Sequence, residues 1–317
     1  MHTLSFTGER QLRYPAPDVA RGFMLALIAL ANVPFWLRYF PEAPHAGHAA
    51  LAAMGSADQW WYLARTLFVD RRAYPLFSIL FGFGMAIMAS RTMERERRAI
   101  ADTFPAEVVA GWHPVQRQIL EENIERHVRR TASRLIRRRG WWMLAFGLVH
   151  AVFFSGDIIG AYGLVAVIFA EVIVMTRAWA RVLVGVFIGS LSLLGIWSMA
   201  AWVGREPMML EFHDPVSLDA GYPLVSVASW LIATPMTVLT ALVVPCVMIG
   251  VGVARWGLLQ DPRGRGALLS GIAACGLGIG ALGGLPFALM QLDWAFVGSA
   301  AWSYPLFHAS GVAGACG

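Results

Sequence analysis

Apolar runs of about 20 residues, the length that carries an α-helix across a hydrocarbon core roughly 30 Å thick, recur along the whole chain. Nothing else in the sequence constrains the fold as tightly. Inside lipid, every backbone N–H and C=O must find its partner within the protein, so such runs fold as helices packed side by side. Apolar windows place spans near 18–38, 74–91, 140–155, 157–176 and 180–203. One more falls within 224–255, another near 266–290, and a short last one over 296–317. The expectation is an all-α, polytopic transmembrane helix bundle of about 7–8 spans. The stretch 224–255 exceeds one crossing, and its start, VSVASWLIA ahead of Pro235, reads as an interfacial or tilted lead-in.

Composition excludes the soluble alternatives. Charged residues make up 14% of the chain, where a soluble domain carries about a quarter. A disordered chain, a basic nucleic-acid-binding domain and an ordinary cytosolic enzyme are all ruled out. The basic residues are all arginine, which with the many Ala and Gly points to a GC-rich bacterial genome; with the recurrent apolar spans, a multi-pass protein of the bacterial inner membrane is expected. Residues 1–17 are polar and lack a signal-peptide cleavage site. Cys246, Cys275 and Cys316 lie singly in apolar segments and form neither a disulfide framework nor a metal site. Several tryptophans, including Trp36, Trp60, Trp61, Trp141, Trp142 and Trp202, sit where apolar runs meet polar ones, as interfacial anchors do.

Arginine placement sets the expected orientation. With the N-terminus inside, the inner loops collect 20 arginines and the outer ones 5, so the N-terminus is expected to be cytoplasmic. The chain divides into 1–90, N-terminal helices with an outer loop; 91–139, a basic cytoplasmic helical segment; and 140–317, the C-terminal transmembrane helices. Segment 91–139 holds 12 Arg against 7 acids and carries the whole net excess of +5. Leu120, Ile124, Val128 and Leu135 form one helical stripe in it. Glu122/Arg126 and Glu125/Arg129 fall at i, i+4. Its basic end, 126–139, is expected to lie on anionic lipid headgroups; a second reading has it hold a polyanionic cofactor such as coenzyme A.

Polar side chains in or near the spans are costly and each needs a reason. Asp18 and Arg21 open the first span at i, i+3, where Asp18 can serve as N-cap and pair with Arg21. Asn32 lies deeper on the same helix. The string GLVHAVFFSGDIIGAY leaves only a short helix between Arg139 and Gly156, which sets the Ser155–Asp157 turn below the outer surface in a protein-lined recess. Asp157 then caps the fourth helix, His150 lies two turns back on the third, and Tyr162 lies five residues on. Such a His is either a hydrogen-bonded packing residue or an imidazole oriented by a carboxylate for proton transfer. Glu171, one and a half turns from Arg177, reads as a carboxylate snorkelling to the inner surface. The first outer loop brings His45, His48, Asp58, Asp70, Arg71 and Arg72, with Trp60 and Trp61 in an interfacial stretch. His45 and His48 have no third ligand, so no metal is expected there.

Three blocks resemble the YeiB family of bacterial membrane proteins, which carry the uncharacterised domain of unknown function 418. They are PDVARGFMLALIALANV (17–33), YPLFSILFGFGMAI (74–87) and RRRGWWMLAFGLVHAVFFSGDIIGAYGLVAV (137–167). The first is similar to the family's Asp-x-x-Arg-Gly opening helix, the second to its Leu-Phe-Ser-x-Leu-Phe-Gly-x-Gly block, and the third to its Gly-Leu-x-His and Gly-Asp-Ile-x-x-x-Tyr hairpin. The positions matched are Asp18, Arg21, Gly22, Asn32, Phe77, Gly82, Gly84, His150, Gly156, Asp157 and Tyr162. The likeness covers residues 13–175 and beyond that is hydropathy alone. Segment 91–139 is longer than the family pattern, and the family's closing segment with a Thr-x-Tyr pattern is expected beyond Gly317.

The family is in turn distantly similar to membrane acyltransferases typified by heparan-α-glucosaminide N-acetyltransferase. That kinship implies transfer of an acyl group from acyl-CoA to an acceptor on or across the membrane. His150 and Asp157 would then be catalytic, Asp18 and Arg21 would hold acyl-CoA, and His45 and His48 fall in the region of an important outer-loop histidine. Two other functions fit the same residues: a small-solute or proton-coupled transporter, and a non-catalytic membrane protein in which they are caps and interhelical hydrogen bonds. Oligomeric state, acyl chain and acceptor are not encoded in any motif.

Overall fold

The computed structural model describes residues 16–33, 55–154, 156–175, 177–203, 221–257, 264–295 and 300–316. The side chains of Ala16, Pro17, Asp18, Arg21, Ala106, Trp202, Val203 and Ala300 are excepted. These residues are helical throughout apart from short turns, and no strand occurs among them. The helices are α1 (Ala16–Ala31), α2 (Ser56–Phe68), α3 (Ala73–Thr103), α4 (Ala106–Ala110), α5 (Pro114–Phe153) and α6 (Ile159–Ile168). They continue with α7 (Ala170–Val174), α8 (Ala178–Val203), α9 (Tyr222–Thr240), α10 (Val243–Trp256), α11 (Gly266–Gln291) and α12 (Ala300–Cys316).

Four helical stretches are long and apolar enough to cross a membrane: Ser56–Thr103, Ala178–Ala201, Tyr222–Thr240 and Gly266–Gln291. Shorter apolar helices cover Gly22–Ala31, Ile159–Ile168 and Val243–Trp256. The outward faces are apolar as well. Phe187 is 70% exposed, Leu224 76% and Leu282 71%, side chains that water would not tolerate in such a stripe and lipid does.

Segment 91–139 is less a separate soluble piece than the extension of two long helices. α3 runs on for 31 residues and α5 for 40, about 60 Å at 1.5 Å per residue, joined through Phe104–His113. His113 caps α5 by accepting from Val115 N, and Gln116 Oε1 accepts from His113 N in return. Arg97 clasps Glu125 between the two helices, with Nε to Oε1 at 3.0 Å. Arg129 pairs with Glu125 at i, i+4 (3.4 Å). The pairing of Glu122 with Arg126 is not formed: Glu122 accepts from Gln118 and Arg126 donates to Asn123. The buried stripe is Val128, Ala132 and Ile136, packed on Met85, Ala89 and Met93 of α3 and on Val165, Ala170 and Ile173 of α6 and α7. We call this the basic end of the bundle.

Two sharp corners shape the helices on either side of the expected spans. Within the first outer loop, the interfacial stretch with Trp60 and Trp61 forms helix α2 (Ser56–Phe68), which turns at Val69–Arg72 into α3, with Arg71 at φ 60°. The stretch 224–255 likewise becomes α9 and α10, separated at Ala241–Leu242 with Leu242 at φ 56°. Left-handed backbone at Arg and Leu is disfavoured sterically, so tertiary packing holds these corners in place. α3 and α10 pack closely through Gly82 and Gly250. A Cβ on Gly82 would strike the Val247 carbonyl oxygen, and one on Gly250 the Ile79 carbonyl oxygen. Hydropathy marks the first corner by its charged run Asp70-Arg71-Arg72, whereas the residues flanking Ala241–Leu242 are apolar on both sides.

Candidate functional site

The hairpin of α5 and α6 is drawn tight by small residues. Gly140 and Gly147 of α5 face Gly163 and Gly160 of α6, with no room between the backbones for a Cβ. This brings Gly156–Ile158, at the tip, back beside the end of α5. His150 is one turn from that end, and its Nδ1 lies 2.8 Å from Oδ1 of Asp157.

Asp157 is saturated. Oδ1 accepts from Ile159 N (3.1 Å) as well as from His150, and Oδ2 accepts from Gly160 N (2.8 Å) and from Trp230 Nε1 (2.8 Å). Its side chain has no exposed surface, while the His150 side chain is 41% exposed. The backbone bonds are those of a helix N-cap on α6. With donors on every other side, the carboxylate meets His150 as an acceptor, which fixes the imidazole proton on Nδ1 and leaves Nε2 with a lone pair. His150 also packs on Phe154, ring centroids 5.5 Å apart. α9 closes the site: Ser226 Oγ donates to Ala151 O (2.5 Å), and Trp230 lies over Gly160.

Tyr162 does not join this pair. Its hydroxyl donates to Tyr74 O (3.1 Å) and meets Ser78 Oγ (3.1 Å), and its ring packs on Phe77 and Phe81. Glu171 lies near the basic end, where Oε1 accepts from Ser133 Oγ (2.7 Å) and pairs with Arg137 Nη2 (3.3 Å) rather than with Arg177. Asn32 follows the last residue of α1 and donates its backbone N–H to Ile28 O (3.0 Å). Asp18 and Arg21 lie on α1 with side chains outside the described residues, as do His45 and His48 altogether.

A second polar cluster was not anticipated. Asp70, Arg71 and Arg72, expected in a solvated loop, form the buried or half-buried corner between α2 and α3. Asp70 Oδ2 accepts from Arg65 Nε (3.0 Å). Arg72 is 4% exposed and donates to the carbonyls of Thr66 (2.9 Å), Asp70 (2.7 Å) and Gly280. Guanidinium groups satisfying carbonyls freed by a helix break are what makes such a corner tolerable inside a bundle. Arg71 Nη2 donates to Tyr304 OH (2.8 Å), Tyr304 packs edge-on against His308, and His308 Nδ1 meets Tyr74 OH (3.3 Å). Hydropathy windows hid Trp230, Tyr304 and His308 because each sits in an apolar run. The one sequence signal for the last two is the pair of polar rings flanking Pro305 in SYPLFH.

No three acidic, histidine or cysteine side chains among the described residues converge as a metal site. No protein-family profile, curated protein or solved structure matches this chain.

Proposed function

We propose that the chain is a membrane-embedded acyltransferase in which His150 acts as general base, oriented by Asp157. The observation carrying this reading is the 2.8 Å contact from Nδ1 to a carboxylate that three other donors hold still. It leaves Nε2 of a partly exposed ring as the proton acceptor, the arrangement general-base catalysis requires. In the proposed step, Nε2 takes the proton from an acceptor hydroxyl or amine as that oxygen or nitrogen attacks the thioester carbonyl carbon of acyl-CoA. The C–S bond breaks, and the departing CoA thiolate takes the proton back from the imidazolium. The resemblance to YeiB-type proteins supports the assignment, with Asp18 and Arg21 near the acyl-CoA path.

The arrangement makes a demand on that path. His150 lies 11 residues beyond Arg139 on one helix, about 17 Å, so with cytoplasmic acyl-CoA the pantetheine arm must run most of the way along α5. In the same reading the protein lies in a bacterial inner membrane with its N-terminus inside, and anionic headgroups lie against Arg134 and Arg138, above which Trp141 and Trp142 project outward.

The test is to incubate purified protein with radiolabelled acetyl-CoA and candidate acceptors, comparing wild type with His150→Ala. Transfer by the wild type that the variant loses supports the reading. Absence of both transfer and CoA binding removes it, and equal transfer by the variant removes His150 from the chemistry. A transport function is the second reading, favoured by the two corners, since discontinuous helices are how many transporters build a binding site at mid-depth.

A further inference from the structure

Arginines from α5, α8 and α10 converge on the end of α7. Arg255, in the last turn of α10, donates through Nη2 to Ile173 O (3.0 Å) and Val174 O (2.9 Å). Arg181, in the first turn of α8, is buried and donates through Nη1 to Met175 O (2.6 Å) and Arg177 O (3.4 Å). The carbonyls of residues 173, 174 and 175 are consecutive, so these two guanidinium groups grip adjoining peptide units. Arg129 arrives from α5, which runs antiparallel to α6 and α7: Gly147 meets Gly160, Gly140 meets Gly163, and Ser133 bonds Glu171. The same register sets Arg129, one turn before Ser133, opposite Met175. The charged side chains acting on Arg255 are Arg129 and Arg181, both of its own sign.

Positive charge therefore gathers where little negative charge meets it. Among the described residues, these guanidinium groups pair with one carboxylate, Glu125, whose Oε2 lies 3.4 Å from Arg129 Nη2 and whose Oε1 is held by Arg97. Glu171, the acid of α7, is engaged by Arg137. The carbonyls that Arg181 and Arg255 grip are neutral, and a helix C-terminus is equivalent to roughly half a negative charge. Nε of Arg129 and Nε of Arg255 also lack a hydrogen-bond partner among the described residues, although both atoms are shielded from solvent. Native proteins pair nearly all such shielded donors. Water would satisfy the donors; the surplus charge calls for an anion.

The surroundings fix what kind of anion fits. Trp179, two residues before Arg181, and Trp256, the residue after Arg255, are 58% and 70% exposed. Outward-facing tryptophan marks the level where headgroups meet acyl chains. Past Trp179, the exposed side chains of Val182, Leu183 and Val186 continue an apolar face along α8, which suits hydrocarbon. Arg129, with 41% of its side chain exposed, opens the cluster to the surface. Guanidinium groups, tryptophan and an apolar helix face follow one another as the phosphate, glycerol and acyl chains of a phospholipid do. A soluble phosphate would use the arginines and leave the rest without a role.

We propose that Arg129, Arg181 and Arg255 form a headgroup site for one anionic phospholipid at the basic end, with the acyl chains laid along α8. The planar guanidinium group matches the geometry of phosphate oxygens and so favours this group over a spherical ion. A basic segment attracts an anionic leaflet diffusely and holds no lipid in particular. This site instead draws its charge from separate helices and takes a single molecule. A lipid held there joins α5, α8 and α10 at one end of the bundle. The site shares no residue with the His150–Asp157 pair and stands whether or not that pair transfers acyl groups.

The experiment is a titration of the purified full chain, in micelles of uncharged detergent, with radiolabelled phosphatidylglycerol. Saturation at about one lipid per chain is expected, with weaker binding of zwitterionic phosphatidylethanolamine. Affinity falls about tenfold in Arg255→Gln and in Arg129→Gln, as loss of one charge-assisted contact implies, and Arg129→Lys, which keeps the charge, recovers part of it. Arg117→Gln, at the exposed start of α5, removes the same charge without effect. Arg255→Gln also removes the bonds to α7, so thermal unfolding is followed in the same samples. Arg129→Gln breaks only a partly exposed pair with Glu125 and is the deciding variant. No saturable binding by folded wild type, or equal binding by wild type and Arg129→Gln, overturns the proposal. Equal affinity for phosphatidylethanolamine removes the anionic preference and overturns it too, as does inorganic phosphate that binds as tightly as the lipid, which would assign a soluble phosphate.

Discussion

Replacing Asp157 by Ala and by Asn separates its structural duty from its proposed catalytic one. The carboxylate accepts from Ile159 N, Gly160 N, Trp230 Nε1 and His150 Nδ1, and its side chain is wholly buried. Alanine leaves two backbone N–H groups and the indole N–H without partners. At about 1 kcal/mol or more each, the loss is about 3–4 kcal/mol, part of it the helix cap. At about 2–4 °C per kcal/mol for a chain of this size, Tm falls by about 6–16 °C. Asparagine behaves differently. Turned with its oxygen toward Gly160 N and Trp230 Nε1, it keeps both of those bonds and presents NH2 to His150 and Ile159. The imidazole adapts by accepting at Nδ1 and moving its proton to Nε2, so only the Ile159 bond is lost, about 1 kcal/mol and a Tm shift of about 2–4 °C. The variant would be folded but would carry the wrong tautomer for a base. Thermal unfolding in detergent reads the first effect, and the 15N shifts of a selectively labelled His150 ring read the second. Equal Tm losses for Ala and Asn, or an unchanged tautomer in Asp157→Asn, would refute the reasoning.

The remaining predictions concern packing, surface charge and placement. Gly250→Ala forces a methyl into the Ile79 carbonyl, an overpacking cost of about 1–3 kcal/mol or more, whereas Gly252→Ala meets nothing within 4 Å; their Tm values in one detergent should differ by several degrees. Arg97→Gln breaks a clasp whose side chains are 37% and 40% exposed, so it should cost less than about 1 kcal/mol, and a Tm loss above about 4 °C would contradict that. With Cys246, Cys275 and Cys316 replaced, a single cysteine at Glu121 on the basic end should react with a membrane-impermeant maleimide only after cells are permeabilised. Labelling of intact cells would reverse the orientation expected from the arginine distribution.

The sequence by itself determined the helical class and the apolar stretches, because hydropathy and 3.6-residue periodicity are local quantities that a lipid environment reads directly. The geometry of the α5–α6 tip was legible for the same reason: seven residues and a Gly-Asp turn constrain His150 and Asp157 whatever the rest of the chain does. Trp230, which completes the shell of Asp157, arrives from α9, 73 residues away, and no local pattern marks it. Glu171 finds Arg137 across a helix interface instead of its sequence neighbour. The geometry of the two corners was decided by tertiary contacts. Arg71 and Leu242 take left-handed backbone because arginine-to-carbonyl bonds and close glycine packing between α3 and α10 outweigh the local cost, and those partners lie up to 208 residues apart. Local sequence specifies which segments become helices; where a helix stops inside the bundle depends on which distant carbonyl or ring is waiting there.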